Sequence, residues 1–288
     1  MTRWRTPDPW LTLLLLLTVG PMVVAWIFMV AYASGGIGLL STGWTLAHWR
    51  AALASGETWA SIGYSFALAA VTMIVALGLA MIGQAVLGAH ARRGALGSLL
   101  FVPLAVPPLV AALLSIELFG NTGWLARLSH AAGLIDRPDQ FPALLFTRSG
   151  SGIVLTQVCL VAPFLWLLVD RLMRHARVAD LGQVARTLGA SSWQVWRRVT
   201  FPVVLRAGAP TFSVYFIVLA GAFEVPLMVG AQYPQVVSLL IQRKFDRFDL
   251  TSKPEAYAIA ALYAVIAVTA LLALFRWHRH RVGGEGDA

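Results

Sequence analysis

Four polar side chains interrupt the apolar runs of this sequence, and they are the residues best placed to meet a solute inside a membrane. Glu224 lies in the run Gly221–Pro226, and Glu117 lies near the end of an earlier run. A charged group at membrane depth costs about 2.5 to 3.5 kcal/mol, so it normally faces a cavity or a partner. We therefore predict that Glu224, Glu117, Gln84 and Gln157 line a solute pathway, and the alternative for each is a hydrogen bond between helices.

Motifs for other kinds of chemistry are missing. Neither lysine, Lys244 or Lys253, follows a glycine, so the sequence has no phosphate-binding Gly-x-x-x-x-Gly-Lys motif. The six histidines include no His-Glu-x-x-His pair, and Ser149–Gly152 lacks the order of a Gly-x-Ser-x-Gly hydrolase motif. We expect neither an enzyme nor a metal site nor a bound cofactor in this chain.

The composition predicts a membrane protein. The 288 residues are 58% hydrophobic and only 12% charged, far from the average of a soluble domain. Six apolar stretches approach the roughly 20 residues that a membrane helix needs, near 10–33, 60–86, 96–118, 149–169, 207–230 and 255–276. We predict an all-α, polytopic fold with six transmembrane helices, forming a single domain over residues 1–288. The net charge of +9 lies in short loops, which argues against nucleic acid as a partner.

The distribution of basic residues predicts the orientation. With the N-terminus in the cytoplasm, the cytoplasmic segments hold more arginine and lysine than the external ones. These segments include Arg3 and Arg5, Arg92 and Arg93, the loop after the fourth span, and the basic C-terminal tail. Both termini are therefore expected in the cytoplasm. Ala31–Ala33 imitates a signal-peptide cleavage site, but the apolar stretch before it is too long for one, and we expect a retained first span.

Prolines and amphipathic segments mark departures from simple spans. The cluster Pro103–Pro108 must bend or break the third span, because each interior proline removes a backbone hydrogen bond. The segment 232–254 is too short to cross a membrane and predicts an external amphipathic helix. Ser252 and Glu255 have the spacing of a capping box that starts the last span.

The most distinctive segment is a basic loop, residues 178–206, between the fourth and fifth spans. Leu181, Val184 and Leu188 have the spacing of one apolar helix face, so one side of a helix can bury while the other stays in water. Gly189 interrupts that helix, and Ser191 with Gln194 forms a capping box for a second helix. The second helix ends at Pro202, or Pro202 opens the next span. Two short helices joined at a glycine would form a compact projection suited to a protein partner.

This segment resembles the signature loop of the membrane subunits of binding-protein-dependent ABC importers. The family pattern is Glu-Ala-Ala, three residues, Gly, nine residues, and Ile-x-Leu-Pro. Here it reads Gln183-Val184-Ala185, three residues, Gly189, nine residues, and Val199-Thr200-Phe201-Pro202. The spacing matches throughout. Gln183 is the departure, because the family's acidic residue there pairs with a basic residue of the ATPase and an amide carries no charge.

The resemblance implies what this chain does and what it binds. It implies the permease subunit of a type I importer in a bacterial-type inner membrane, with a second permease subunit, ABC ATPase subunits and an extracytoplasmic solute-binding protein. ATP and Mg²⁺ would be bound by the ATPase. The residues expected to couple to the ATPase are Leu181, Gln183, Val184, Ala185, Arg186, Gly189, Ala190, Trp193, Val199, Phe201 and Pro202. The stretch Phe223–Pro226 looks like permeases grouped with spermidine and putrescine uptake, although ferric, thiamine and phosphonate systems have similar sequences. Glu224 suits a polyamine as counter-charge.

Three alternatives remain open at the level of sequence. The basic loop can be an amphipathic helix that binds lipid head groups. The chain can be an ion- or proton-coupled secondary transporter that uses Glu224. A membrane-embedded enzyme would need a polar catalytic pair, and none is visible. The motif spacing favours the importer.

Overall fold

A computed structural model describes residues 9–38, 41, 43–92 and 98–283, and this part of the chain is helical without strands. Arg3, Arg5 and Arg93, used above for orientation, lie outside the described residues. The helices are α1 Pro9–Ala33, α2 Ala47–Ala54, α3 Gly56–Arg92, α4 Val102–Ala105, α5 Pro108–Phe119, α6 Trp124–Ala131, α7 Ser151–His175, α8 Val178–Thr187, α9 Ser192–Val195, α10 Phe201–Ala220, α11 Glu224–Val229, α12 Val237–Phe245 and α13 Lys253–Gly283.

Six helical segments of the described chain are long and apolar enough to cross a membrane, as the sequence predicts. They are Thr12–Ala33, Gly56–Gly88, Pro108–Ala131, Ser151–His175, Ser192–Ala220 and Leu250–His278. The all-α, six-span prediction is confirmed. Two spans are shifted from expectation at both ends: the third segment is Pro108–Ala131 rather than near 96–118, and the fifth is Ser192–Ala220 rather than near 207–230.

Prolines mark the later start of the third segment, and a glycine marks the earlier end of the fifth. Helix α4 ends at Ala105 and α5 begins at Pro108, so the predicted proline cluster breaks the helix there. The fifth span was expected to be continuous from 207 to 230, but α10 ends at Ala220 and α11 begins only at Glu224. Gly221 is the residue that ends α10, and glycine is disfavoured inside a helix by about 1 kcal/mol relative to alanine.

The described residues form two compact units, and the first contains those up to Ala60 together with Leu240–Ile266. Ion pairs stabilise it, since Arg243 pairs with Glu57 and the buried Lys244 donates to Glu255 at 2.8 Å. Burial of Lys244 is tolerated because its charge is paired and hydrogen-bonded. The predicted amphipathic helix within 232–254 is observed as α12.

The capping box predicted at the start of the last span is wrong. The hydroxyl of Ser252 donates instead to the backbone oxygens of Lys244 and Asp249, at 3.1 and 2.8 Å, and the Glu255 carboxylate is paired with Lys244. Asp249 caps the preceding turn by accepting from the Thr251 backbone N–H. Hydrogen bonds from the side chain and backbone of Thr251 hold the pKa of the Asp249 carboxyl below its usual range.

The second unit contains the described residues of Ser61–Leu239 together with those from Ala267 onward. Its main core lies among α3, α7 and α10, where Leu165, Val169 and Val204 are fully buried. A second cluster joins α5, α7 and α11 around Ala112, Ile153, Val225 and Val229. This core holds α7 and α10, the two long helices that flank the basic loop.

Candidate coupling site and solute pathway

The basic loop begins with a sharp change of direction after α7. Arg177 adopts a left-handed backbone conformation, with φ of 47°, between the end of α7 and the first residue of α8. Val178 and Gly182 then form the buried side of α8. A Cβ at Gly182 would lie 3.1 Å from the Cγ1 of the buried Val195, so the small residue lets α9 pack closely on α8. The two short helices therefore form one compact body, as predicted.

The apolar face predicted on α8 is the exposed one. Leu181, Val184 and Leu188 are 46%, 60% and 83% exposed, and we call them the α8 stripe. The sequence pattern correctly places them on one side of the helix, but the chain buries the neighbouring side, Val178 and Gly182, instead. An exposed apolar stripe on a loop outside the membrane spans is typical of a surface that another protein covers.

Gly189 and the capping box that follows it produce the turn between the two helices. Gly189 has φ of 87°, a conformation that glycine adopts without strain. Gln194 donates its backbone N–H to the Ser191 hydroxyl at 3.3 Å, and its side-chain oxygen accepts from the Ser191 N–H at 2.8 Å. The capping box predicted from the Ser-x-x-Gln spacing is confirmed.

Ser191→Ala should loosen the start of α9, because an N-terminal cap stabilises a helix by about 1 kcal/mol. We expect the backbone amide of Gln194 to exchange with deuterium about fivefold faster. Hydrogen exchange followed by mass spectrometry measures this directly. Ser192→Ala is the matched control, since Ser192 is equally exposed and does not cap the helix. Equal exchange at Gln194 in both variants would contradict the assigned role of Ser191.

The second short helix continues into the membrane span. A π-helical turn, Trp196–Thr200, joins α9 directly to α10, and Pro202 lies in the first turn of α10, where proline is tolerated. Of the two sequence alternatives for Pro202, the structure has the one in which it opens the span. Trp193 and Trp196 stack with ring centroids 5.2 Å apart, and Trp196 also contacts Phe201. The residues from Ser192 to Ala220 thus form one continuous helical segment.

The remaining predicted coupling residues lie on the same projection. Gln183, Arg186 and Trp193 are exposed, Ala185, Ala190 and Val199 are partly buried, and Phe201 is 38% exposed. Beneath them lies a cavity of about 650 Å³. Its walls come from α3, α7, α8, α9 and the π turn, and it is lined by Met81, Ile82, Gln84, Ala85, Met173, Arg186, Ser192, Trp193, Val195, Trp196 and Thr200.

The two glutamines predicted for the pathway each form a hydrogen bond between helices, and Gln84 also lines the cavity described above. Gln84 is 7% exposed and donates from Nε2 to the backbone oxygen of Trp166 at 3.3 Å. Gln157 is 3% exposed and accepts from the Thr72 hydroxyl at 3.2 Å. Both bonds join α3 to α7, which is the alternative that the sequence left open.

The two carboxylates have a different environment. Glu224 is the first residue of α11 and Glu117 lies in the last turn of α5, and both side chains are exposed. Helix α11 packs directly against α5, with Val225 and Val229 buried in the contact. The structure therefore brings the helices that carry both acids together and leaves the acids facing outward.

Sequence reasoning missed three residues that shape these sites. Val178, Gly182 and Val195 form the contact that holds α8 against α9. Within α8, the sequence indicates this contact only through the spacing of Val178 and Gly182, which are four residues apart and therefore lie on the same side of the helix. Residue spacing does not reveal the contribution of Val195 from the other helix.

Six apolar helices, an exposed projection with an apolar stripe and two exposed acids on adjacent helices define a polytopic membrane transport subunit as the class of this protein. Residues 75–284, well over half of the chain, match the family described as binding-protein-dependent transport system inner membrane component. The chain belongs to this family.

Individual relatives are distant in sequence. The molybdenum transport system permease protein ModB of Mycobacterium tuberculosis is 28% identical over 222 residues, which is 76% of this chain and 78% of that protein. The sulfate transport system permease protein CysT of Synechococcus elongatus is 23% identical, covering 95% of this chain and 91% of its own length. The chain spans about three fifths of two algal relatives named for sulfate transport, 60% in Chlorella vulgaris and 63% in Prototheca wickerhamii.

Solved structures show the same fold. A chain of a bacterial ABC transporter involved in the import of the acidic polysaccharide alginate matches with a TM-score of 0.69 and 16% identity, covering 93% of this chain and 92% of its own. The alginate ABC transporter in complex with an alginate pentasaccharide-bound periplasmic protein matches with a TM-score of 0.60 and 18% identity, covering 93% and 94%. The importer resemblance of the sequence is thus confirmed at the level of the family, and the spermidine and putrescine subgroup is not supported.

Proposed function

We propose that this chain is the permease subunit of an ATP-driven importer and that its α8 stripe binds a separate ATPase. The observation that carries the proposal is the 46% to 83% exposure of Leu181, Val184 and Leu188 on a loop whose spacing matches the family motif. Exposing apolar side chains to water is energetically unfavourable. A protein partner that covers them removes this free-energy cost. ATP and Mg²⁺ would be bound by that partner.

The connection between the loop and the membrane supports coupling. The helical segment from Ser192 to Ala220 has 29 residues, or about 43 Å at 1.5 Å per residue. Because α9 packs on α8 through Gly182 and Val195, a displacement of α8 also displaces the start of this segment. A movement imposed by the ATPase would thus reorient the fifth span and alternate access to the solute.

The complete transporter would contain further chains. We propose a second permease subunit, two ATPase subunits and an extracytoplasmic solute-binding protein, in a bacterial-type inner membrane with both termini cytoplasmic. A periplasmic binding protein accompanies one of the structural neighbours described above. Gln183 is exposed on α8, so its amide would hydrogen-bond to the ATPase where the family has an ion pair.

The partners decide between an importer and a secondary transporter. We expect the tagged chain, purified from its native membrane in mild detergent, to retain an ATPase in near-equal amounts by mass spectrometry. Deleting residues 181–201 should remove the ATPase. Solute uptake into liposomes by the chain alone, without ATP, would instead establish the secondary transporter.

The solute is more consistent with an oxyanion than with a polyamine. The curated relatives are named for sulfate and molybdenum transport, and the structural neighbours import an acidic polysaccharide. Polyamine transport was predicted from Glu224 and from the likeness of Phe223–Pro226, and no relative described above is named for it. We therefore propose a small oxyanion of the sulfate or molybdate type, with Glu224 and Glu117 facing the pathway.

Glu224→Gln separates the two solute classes. For an oxyanion we expect faster uptake by about fivefold, because unit charges 4 Å apart interact by about 1 kcal/mol in water and the variant removes the repulsion. Uptake of radiolabelled sulfate and molybdate by the complete transporter in liposomes measures this. Asp136→Asn is the control, since Asp136 is an exposed acid that the proposed pathway does not include. If Glu224→Gln instead loses uptake, and putrescine inhibits uptake by the wild type, the solute is a polyamine.

A further inference from the structure

The cavity of about 650 Å³ beneath the basic loop contains a cation that has no partner in the described chain. Arg186 and Ser192 line its loop side, and both are exposed. Neither side chain forms an ion pair or a hydrogen bond with another described residue. The residues that line the cavity include no acid, so the charge of Arg186 is not neutralised there. We call this space the loop cavity, and its volume is within the range of ligand-binding clefts.

Arg186 faces away from the surface proposed for the ATPase. At 100° per residue, it lies about 160° around α8 from both Val184 and Leu188. A partner that covers the α8 stripe therefore leaves the loop cavity open on the other side of the helix. This position gives Arg186 a role other than the contact with the ATPase that the family resemblance implies.

The remaining walls of the loop cavity are the ends of two membrane spans. Ile82 is six residues before the end of the span Gly56–Gly88, about 9 Å at 1.5 Å per residue. Met173 is two residues before the end of α7. Both line the cavity, and Ile82 is 57% exposed. An exposed isoleucine near the end of a membrane span contacts lipid, so the cavity opens toward the hydrocarbon on this side.

Two tryptophans indicate the depth of the loop cavity in the membrane. Trp193 and Trp196 both line it and stack with ring centroids 5.2 Å apart, and Trp193 is 63% exposed. Tryptophan side chains are enriched at the level of the lipid head groups. The cavity is therefore apolar where it meets the span and cationic at head-group level, beside Arg186. An anionic lipid has the same order of parts.

We propose that the loop cavity binds an anionic phospholipid. One acyl chain lies against Met81, Ile82 and Met173, and the phosphate binds Arg186 and Ser192. The guanidinium group offers five N–H donors and the hydroxyl one more, which matches the acceptor oxygens of a phosphodiester. The leaflet is the cytoplasmic one, an assignment that rests on the proposed docking of the ATPase at the basic loop.

The free charge of Arg186 distinguishes this occupant from an ordinary boundary lipid. The phosphate of phosphatidylcholine is balanced by its own choline group, whereas that of phosphatidylglycerol is not. Basic pockets between membrane helices on the cytoplasmic side bind anionic head groups. The loop cavity should therefore select phosphatidylglycerol over phosphatidylcholine by about tenfold, the scale of a hydrogen bond to a charged group.

Native mass spectrometry of the complete transporter, equilibrated with equal amounts of these two lipids, tests the selection. We expect one tightly held phosphatidylglycerol per copy of this chain. The tenfold preference should vanish in Arg186→Gln and persist in large part in Arg186→Lys, which keeps the charge. Arg197→Gln is the matched control, because Arg197 is an exposed cation of the same loop that does not line the cavity. An unchanged preference in Arg186→Gln would overturn the proposal.

A cross-linking experiment identifies the occupant without relying on charge. Ile82→p-benzoylphenylalanine places a photoreactive group in the loop cavity, and illumination should add the mass of a phospholipid to this chain. An excess of inorganic phosphate should leave this product unchanged, and its loss would show that the cavity binds a soluble anion instead. A covalent product with another subunit, or with this chain itself, would also overturn the lipid site. Neither readout depends on transport, so failure here leaves the proposed importer function standing.

Discussion

Val184→Glu combined with Leu188→Glu should release the ATPase from the purified transporter while this chain keeps its fold. Both side chains belong to the α8 stripe and are 60% and 83% exposed, so the substitutions remove almost no contact within the chain. Exposed substitutions of this kind usually change the free energy of unfolding by less than about 0.5 kcal/mol. The melting temperature of the chain in detergent should therefore stay close to that of the wild type.

The effect on binding should be large because the stripe would be the buried centre of the interface. Each residue at such a centre contributes about 2 kcal/mol or more, and the glutamates also place charges where water is excluded. Loss of both anchors corresponds to at least a hundredfold weaker binding of the ATPase. Quantitative mass spectrometry of the companion subunits and ATP-driven uptake in liposomes should both show the loss.

Ala179→Glu is the matched control for added charge. At 100° per residue, Ala179 lies on the side of α8 almost opposite Val184 and Leu188, and it is also exposed. This variant should keep the ATPase. Retention of the ATPase by the double variant would show that the partner docks elsewhere on the loop, and loss of it in both variants would show that the whole helix contributes.

The parts of this structure that depend on local sequence were predictable. Six spans follow from the length of the apolar runs, and the Ser191 and Gln194 capping box follows from a three-residue spacing that involves only neighbouring backbone groups. The match of the basic loop to the family motif also follows from spacing alone. These features do not depend on how distant helices pack.

Features that depend on a partner were harder to predict. An i, i+3, i+7 pattern identifies the apolar side of α8 but not what covers it, and this chain buries Val178 and Gly182 instead of the stripe. Gln84 and Gln157 were predicted as pathway residues because polar groups are rare in membrane spans, with a hydrogen bond between helices as the alternative. Their partners, Trp166 and Thr72, lie more than eighty residues away along the chain, so no local pattern shows that these bonds form.

Gly83→Ala should destabilise the second unit severely, although it adds a single methyl group. A Cβ at Gly83 would lie 2.1 to 2.7 Å from three atoms of the Trp166 ring. Two non-bonded carbon atoms cannot approach this closely. The ring packs against the main core, so moving it away from residue 83 would disturb that core. Overpacking of this kind costs about 1 to 3 kcal/mol, and thermal unfolding in detergent should show a clearly lower melting temperature.

Two further variants test whether the contact between residue 83 and the Trp166 ring causes the loss of stability. Gly78→Ala adds the same methyl group five residues earlier on α3, where a Cβ would meet no atom within 4 Å, and it should be neutral or slightly stabilising since alanine favours helix more than glycine. Trp166→Leu in the Gly83→Ala background removes the clashing ring and should recover part of the lost stability. Because Gln84 bonds to the backbone of residue 166 rather than to its ring, the link between α3 and α7 survives this rescue. Recovery would therefore show that Gly83 is required for close approach of the two helices and not for flexibility of α3.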